Sequence, residues 1–194
     1  MFPKQLQLSF APPAPISLIS ECERLRLSKN EMLLELYRKI NIRHFDERLP
    51  PIKIEWSTRM TTCAGKLHVV RKNGVLNPTK ILMSYKLFES LNWDMAKIEN
   101  TLTHEMVHVW RVIIFEDRFH SQGFQDKMTE ITGKNINHRC HKYDTSRVTN
   151  HKWQFTCQKC GFIITKARKP KGLGYKHRKC GGSLKLSKIG GGQC

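Results

Sequence analysis

Residues 94–115 read DMAKIENTLTHEMVHVWRVIIF and show the spacing of an amphipathic helix. The apolar positions that recur every three or four residues are Ile98, Leu102, Met106, Val109 and Ile113. This spacing places apolar side chains on one helical face. We therefore predict a core helix from Asp94 to about Phe115.

The centre of this predicted helix contains His104-Glu105-Met106-Val107-His108, which is an H-E-x-x-H pattern. Residues four apart share a helical face, so both imidazoles can bind one Zn²⁺ while Glu105 points at a water. Zinc polarises a scissile carbonyl and acidifies water, and a nearby carboxylate serves as the general base. We predict that His104 and His108 bind a catalytic zinc, with Glu105 as the base. The competing interpretation is two surface histidines without a metal.

A catalytic zinc needs a third protein ligand and an open position. The metzincin spacing is excluded, because its third histidine would fall at Ile114. Two candidates remain: His120, just beyond the helix, and Glu130, at a distance that suits a ligand on a second helix. We favour His120, because a chain returning from the first helix can easily bring it under the metal.

Three short β-strands are predicted over residues 52–56, 66–70 and 80–84. Asn73-Gly74 and Asn77-Pro78 predict turns between the last two strands. The strands predict a small, mostly antiparallel sheet.

Two further helices are predicted over residues 31–40, behind an Asn30 cap, and over residues 123–131. Together with the strands they indicate an α+β domain over residues 29–150. We expect residues 1–28, which contain several prolines, to be a flexible N-terminal segment.

A second metal site is predicted near the C-terminus. Cys157 and Cys160 are followed, after sixteen residues, by His177 and Cys180. A closed Cys₃His set is structural, because it leaves no position for water or substrate. The metal would hold together a short polar subdomain over residues 151–188, followed by a flexible tail over residues 189–194. The alternative is free thiols, which is how we interpret the remaining cysteines, Cys22, Cys63, Cys140 and Cys194.

The net charge of +18 and pI near 9.9 indicate a polyanionic partner, with nucleic acid first. Residues 151–194 contain eleven Lys or Arg and no Asp or Glu. Cations can follow phosphates while aromatic rings stack on bases, which favours single-stranded DNA or DNA with single-stranded character. The candidate DNA-contacting residues are Trp153, Arg168, Lys169, Lys171, Tyr175, Lys176, Arg178 and Lys179. Trp153 and Phe155 are also candidates for the small core of the subdomain.

The N-terminal residues lack the apolar stretch and cleavage site of a secretory signal, and no apolar segment is long enough for a membrane helix. We expect a soluble intracellular monomer that does not contact membranes. Seven cysteines in a reducing compartment agree with metal ligands and buried thiols.

Several motifs resemble the SprT-like zinc metalloproteases, over about residues 33–186. Residues 54–65, IEWSTRMTTCAG, are similar to the strand before the active site in that family, and residues 101–108, TLTHEMVH, are similar to its zinc helix. Residues 120–124, HSQGF, occupy the place of its H-G-P-x-F segment, with Ser121-Gln122 replacing Gly-Pro. Residues 132–136 and 153–157 also resemble the family.

The resemblance implies a zincin-type protease domain with His104, His108 and His120 as ligands of a catalytic zinc. It also implies a Cys₃His zinc-binding subdomain, and thus two zinc ions per chain. Within the family, the likeness is to DNA-dependent proteases that degrade proteins crosslinked to DNA, which implies a role in DNA repair and a nuclear location. Two alternatives remain: a DNA-binding zinc protein whose H-E-x-x-H site is idle, and a DNA-independent zinc protease.

Overall fold

The structure is a computed structural model that describes residues 15–117, 120–134, 137–138, 143–145, 148–172 and 174–189. The chain divides into two compact units, Met1–Tyr143 and Asp144–Cys194. This boundary lies before the one predicted after residue 150. The tail predicted over residues 189–194 lies outside the described residues from position 190 onward. In the described ranges, no helix has the length and apolar character needed to span a membrane.

The helices of the first unit are α1 (Leu18–Leu25), α2 (Lys29–Phe45), α3 (Tyr85–Ser90), α4 (Met95–Phe115) and α5 (Gln122–Thr132). Helices α4 and α5 agree with the helices predicted from apolar spacing. Helix α2 is longer than predicted, and its cap is Ser28 instead of Asn30. The Ser28 hydroxyl accepts from the Glu31 backbone N–H, and the Glu31 carboxylate accepts from the Ser28 N–H. This reciprocal capping box satisfies two backbone donors at the start of the helix.

Helix α1 corrects part of the expectation that residues 1–28 are flexible. The Ser17 hydroxyl accepts from the Ile19 N–H at the start of this helix, and Leu18 and Cys22, one turn apart, are buried. The Leu18 N–H donates to the Trp93 carbonyl at 2.7 Å. Tertiary contacts therefore stabilise a helix of two turns, which is too short for its apolar spacing to stand out. Residues 1–14 lie outside the described residues.

The sheet of the first unit contains β1 (Lys53–Ser57), β2 (Gly65–Lys72) and β3 (Val75–Ser84), in the order β1-β3-β2. Strands β2 and β3 form an antiparallel hairpin, whereas β1 is parallel to β3. The prediction of a mostly antiparallel sheet is therefore wrong for β1. The chain crosses to the far side of β3 before it forms the hairpin, and residue alternation does not encode strand direction.

The turn predicted at Asn77-Pro78 is also wrong, because both residues lie within β3. Pro78 pairs with Val69 beside a β-bulge, where the register shifts between His68 and Val69. A proline lacks the N–H of a regular ladder, so a bulge is where an inner strand tolerates it.

One face of this sheet packs against α4. Ile81 and Met83 of β3 are fully buried. The fully buried apolar residues of α4 include Ile98, Leu102, Met106 and Val109. Burial of each such side chain contributes about 1.5–3 kcal/mol, so the position of the helix on the sheet is strongly determined.

The second unit contains β4 (Trp153–Cys157), β5 (Ile163–Lys166) and β6 (Leu184–Lys188), in the order β5-β4-β6. Both pairings of this sheet are antiparallel. Among its described residues, Phe155 and Cys157 are buried apolar side chains, so Phe155 belongs to the core of this unit. A core this small needs additional stabilisation, such as a metal.

Candidate active site and metal centres

Helix α4 presents His104, Glu105 and His108 in a buried position, each less than a tenth exposed. His120 lies just before α5 and directs its ring toward the same point. Its Nε2 atom is 3.1 Å from Nε2 of His104 and 3.2 Å from Nε2 of His108. The three possible ligand atoms lie within 4.8 Å of one another.

This arrangement of imidazoles fits a zinc ion. Three imidazole nitrogens that converge on one point are the donor set that a catalytic zinc takes from a protein. Zn–N bonds of about 2.0–2.1 Å in a tetrahedron place the nitrogens about 3.3 Å apart, close to the observed distances. Burial, and then the nearby His120, lowers the pKa of His108 to about 4. His108 is therefore neutral at physiological pH, as a metal ligand must be.

Glu105 lies between the two helical histidines and faces β2. Burial raises the pKa of its carboxyl to about 8, and a hydrogen bond from the Leu67 backbone limits the rise. A bound cation would act in the opposite direction and favour the carboxylate. Strand β2 can approach because residue 65 is glycine: a Cβ there would lie 2.7 Å from Glu105 Oε1 and 2.8 Å from its Cγ.

The segment that carries His120 is fastened to α4 by polar contacts. Arg111 Nη2 donates to Asp117 Oδ2 at 2.8 Å, and the Ser121 hydroxyl donates to the same oxygen. These contacts tie the two sides of His120 to the helix. Gly123 leaves room for the guanidinium, since a Cβ there would lie 2.5 Å from Arg111 Nη1.

Glu130, the other candidate for the third ligand, does not join the three histidines. Its side chain is 65% exposed and pairs with Lys127 Nζ at 2.7 Å. Of the two candidates, the structure brings only His120 to the helical pair.

The predicted Cys₃His residues also converge. The sulfur of Cys180 is 3.4 Å from the sulfurs of Cys157 and Cys160, and His177 Nδ1 is 3.1 Å from Cys180 Sγ. These sulfurs are too far apart for a disulfide of about 2.05 Å, yet close to the spacing around a tetrahedral metal.

Electrostatics also favour metal binding at the Cys₃His group. Burial acts to raise the pKa of Cys157, but hydrogen bonds from the backbone N–H groups of Cys160 and Lys159 and with the thiols of Cys180 and Cys160 together lower it to about 6. A thiolate is the form that binds zinc. Of the other cysteines, Cys22 is buried and Cys63 is exposed, while Cys140 and Cys194 lie outside the described residues.

The candidate DNA-contacting residues of the second unit, apart from Trp153, are exposed at its surface. The exposed residues of this set are Arg168, Lys169, Lys171, Tyr175, Lys176, Arg178 and Lys179. Trp153 is half-buried, and Lys169 Nζ lies 5.4 Å from its ring centroid. A positive charge for a phosphate and an aromatic face for a base therefore lie next to each other at this point of the surface.

Sequence reasoning missed three residues near the three histidines: Gly65, Leu67 and Asp117. Gly65 is the last residue of the family-like motif at residues 54–65, and its place in that motif was the sequence signal that could have identified it. The contacts of Leu67 and Asp117 depend on how β2 and the segment after α4 pack against that helix. Such packing produces no local pattern in the sequence.

The fold and the site together define an α+β protein with a buried H-E-x-x-H helix and a third histidine that completes a triad able to hold a metal ion. The SprT-like family model matches residues 33–151. The match covers more than half of the chain, so the chain belongs to the SprT-like family.

Curated relatives agree with this family. Protein SprT-like of Oceanobacillus iheyensis is 24% identical over 161 residues, which are 83% of this chain and 99% of that protein. DNA-dependent metalloprotease SPRTN of Mus musculus is 27% identical over 63% of this chain, and that of Bos taurus is 29% identical over 68%. The matches cover 24% and 27% of those two proteins, so the chain spans about a quarter of their length.

Proposed function

We propose that the chain is a DNA-dependent zinc metalloendopeptidase that degrades proteins crosslinked or tightly bound to DNA. The observation that carries this proposal is the convergence of the His104, His108 and His120 ring nitrogens beside the buried Glu105 carboxylate. The exposed cations of the second unit and the DNA-dependent metalloproteases among its relatives support the DNA requirement.

The chemistry is divided between a metal and the chain. His104, His108 and His120 would hold a zinc ion, which would supply a Lewis acid for polarising a peptide carbonyl and lowering the pKa of water. The Glu105 carboxylate accepts the proton of the attacking water and later donates it to the leaving amine. The Leu67 backbone N–H donates a hydrogen bond to the Glu105 carboxylate, and the absence of a side chain at Gly65 leaves room for that carboxylate beside β2.

The second unit recruits the protease to DNA. A second zinc at Cys157, Cys160, His177 and Cys180 holds this unit together, which makes two zinc ions per chain. The exposed cations bind the phosphates of single-stranded DNA, and Trp153 and Tyr175 are available to stack on bases. Substrate choice then follows from proximity to the strand more than from a deep side-chain pocket. We place this monomeric protein in the nucleus, which imaging of the tagged chain would test.

Glu105→Gln tests the general base. We expect this variant to keep about two zinc ions per chain and to lose cleavage of a histone bound to single-stranded DNA, because an amide cannot accept the water proton. Metal analysis and proteolysis are measured on one preparation, with a chelator as control. Wild-type activity in the variant would exclude Glu105 as the base, and an inactive wild-type protein that binds DNA would favour the idle scaffold.

The DNA requirement is tested by charge reversal at Lys169, Lys171 and Lys179. We expect a weaker, less salt-sensitive affinity for single-stranded DNA and a corresponding loss of DNA-stimulated cleavage, because fewer counterions are released on binding. A different result would support a DNA-independent zinc protease: DNA does not stimulate proteolysis by the wild-type protein, and the variant is as active as the wild type.

A further inference from the structure

The face of the β1-β3-β2 sheet that points away from α4 carries several cations. The inner face contains Ile81 and Met83, which are fully buried. Because side chains alternate between the faces of a strand, the residues between them point outward. The two outward rows across the three strands are Lys53-Lys80-His68 and Glu55-Leu82-Lys66. We call these two rows the outer sheet face.

Positive charge predominates on the outer sheet face. It contains three lysines against one carboxylate, which Lys53 and Lys80 share at 2.6 Å and 3.5 Å. Lys66 is exposed and makes no ion pair within the described part of the chain. Burial, followed by the ammonium groups of Lys66 and Lys80, lowers the pKa of His68. The ammonium groups of Lys66 and Lys80 are therefore close enough to His68 to disfavour its charged form.

The surrounding sequence has the same bias. Residues 56–88, which include β2 and β3, contain six Lys or Arg and no Asp or Glu. Arg71 and Lys72, both exposed, extend the positive charge to the hairpin turn. An acid-free stretch of this length creates a local positive field that neighbouring carboxylates do not cancel.

We propose that the outer sheet face is a second contact surface for the phosphate backbone of a nucleic acid. The inference rests on the proposed function, because it assigns the same DNA a surface on the protease unit. The cations are spread across three strands, which suits a polymer with one charge about every 3.4 Å per strand. The two rows contain no phenylalanine, tyrosine or tryptophan, so the contacts are to phosphates and independent of base sequence.

The position of this surface gives it a role in catalysis. Strand β2 carries Lys66 and His68 on its outer side, while Gly65 and Leu67 lie against Glu105 on the inner side. A nucleic acid on the outer sheet face is therefore separated from the general base by a single strand. It would keep a protein attached to that DNA close to the active site.

The test compares two charge-reversed variants of the full zinc-loaded chain. Lys66→Glu/Lys80→Glu removes two cations from the outer sheet face. The matched control, Arg38→Glu/Lys39→Glu, makes the same change in net charge on an exposed part of α2, beside Glu35. The Kd for a single-stranded oligonucleotide is measured between 50 and 200 mM salt. The neutral variant Lys66→Gln/Lys80→Gln and a thermal unfolding curve separate lost contacts from lost folding.

We expect the outer-face variant to bind about tenfold more weakly at the lowest salt, and its log–log salt slope to fall by roughly 1.4, since each phosphate contact of a single strand contributes about 0.7. The neutral variant should show a smaller loss in the same direction, and the control should remain near wild type. Equal losses in outer-face and control variants would mean that net charge alone matters, and would overturn the inference.

Two further outcomes would also overturn it. Unchanged DNA affinity in a folded outer-face variant would exclude the surface as a DNA contact. Unchanged DNA affinity with slower cleavage of acidic proteins would assign it to an acidic protein segment instead. The tail variant at Lys169, Lys171 and Lys179 separates the two proposals: if it weakens DNA binding while the outer-face variant does not, the proposed function stands and this inference alone fails.

Discussion

Gly65 shows how a residue without a side chain can position a catalytic group. A Cβ at this position would lie 2.7 Å from Glu105 Oε1 and 2.9 Å from Thr101 Cγ2. Either β2 or the carboxylate must then move. The space left by this glycine therefore determines where the proposed general base lies.

Gly65→Ala should reduce kcat/KM by about 10²-fold, because a misplacement of roughly 1 Å in a catalytic group has an effect of that size. Zinc content should stay the same, since the three histidines are not touched. Cleavage kinetics and metal analysis check both statements. Val70→Ala, at an exposed position of the same strand, is the control. Activity close to wild type in Gly65→Ala would show that the close approach is not required.

Asp117 is the corresponding residue on the other side of the site. It accepts hydrogen bonds from Arg111 and Ser121 and so holds the segment that carries His120. Asp117→Asn should weaken metal binding at the three-histidine site by about 10-fold or more, as is typical when groups that support metal ligands are changed.

Cobalt substitution can monitor the Asp117 variant, because thiolate charge-transfer bands arise from the Cys₃His group alone. Competition with a chelator should release cobalt from the histidine site first, with the thiolate bands unchanged. Asp126→Asn, an exposed aspartate that accepts from Gln122 on α5, is the control. Equal metal affinity in both variants would contradict the role of Asp117.

At the scale of elements, α2 and α4 each begin at an N-cap residue whose side chain accepts a backbone hydrogen bond. Asp94 accepts from the Lys97 backbone N–H at the first turn of α4, and Ser28 and Glu31 form the capping box of α2. Such caps satisfy donors that the helix cannot pair internally. Apolar spacing predicted both helices, but it did not distinguish Ser28 from Asn30 as the cap.

Ser28→Ala should lower the free energy of unfolding by about 1 kcal/mol through loss of the capping box. Asn30→Ala should be neutral or slightly stabilising, because Asn30 lies within the helix, where alanine is preferred. Urea denaturation of the two variants measures the difference directly. The reverse order of stabilities would place the cap at Asn30.

At the scale of the whole molecule, the two units rely on different sources of stability. The first unit has a core in which fully buried side chains of α4 meet β3. Phe155 and Cys157 provide little buried apolar area in the second unit, so we expect its stability to depend on a metal bound by the Cys₃His group.

Removal of metal should therefore unfold the second unit and leave the first largely folded. Chelation should abolish protection of residues 153–188 from proteolysis, while the helical signal of the first unit persists. Cys180→Ser should reduce zinc from about two ions to one per chain and reproduce the selective unfolding. Full protection of the second unit in this variant would show that it folds without the metal.

The sequence alone determined the features that depend on local spacing. Periodicity placed α4 and α5, the H-E-x-x-H pattern placed two histidines and a glutamate on one turn, and paired Cys-x-x-Cys and His-x-x-Cys segments marked the second group. These features are readable because neighbours along the chain are neighbours in space. The direction of β1, the helix α1 and the cap of α2 were not predicted correctly. The first two depend on packing, and the third on which of two nearby side chains, Ser28 or Asn30, accepts from the backbone N–H groups.

Only the tertiary structure decided between His120 and Glu130 on physical grounds, and only it revealed Gly65 and Asp117. Each of these outcomes depends on contacts between segments that are separate in the sequence: β2 against α4, and the segment after α4 folded back onto it. A local sequence pattern can indicate which chemical role a residue is able to play. Which partners that residue meets is set by how the chain packs, because burial and close approach arise from the whole fold.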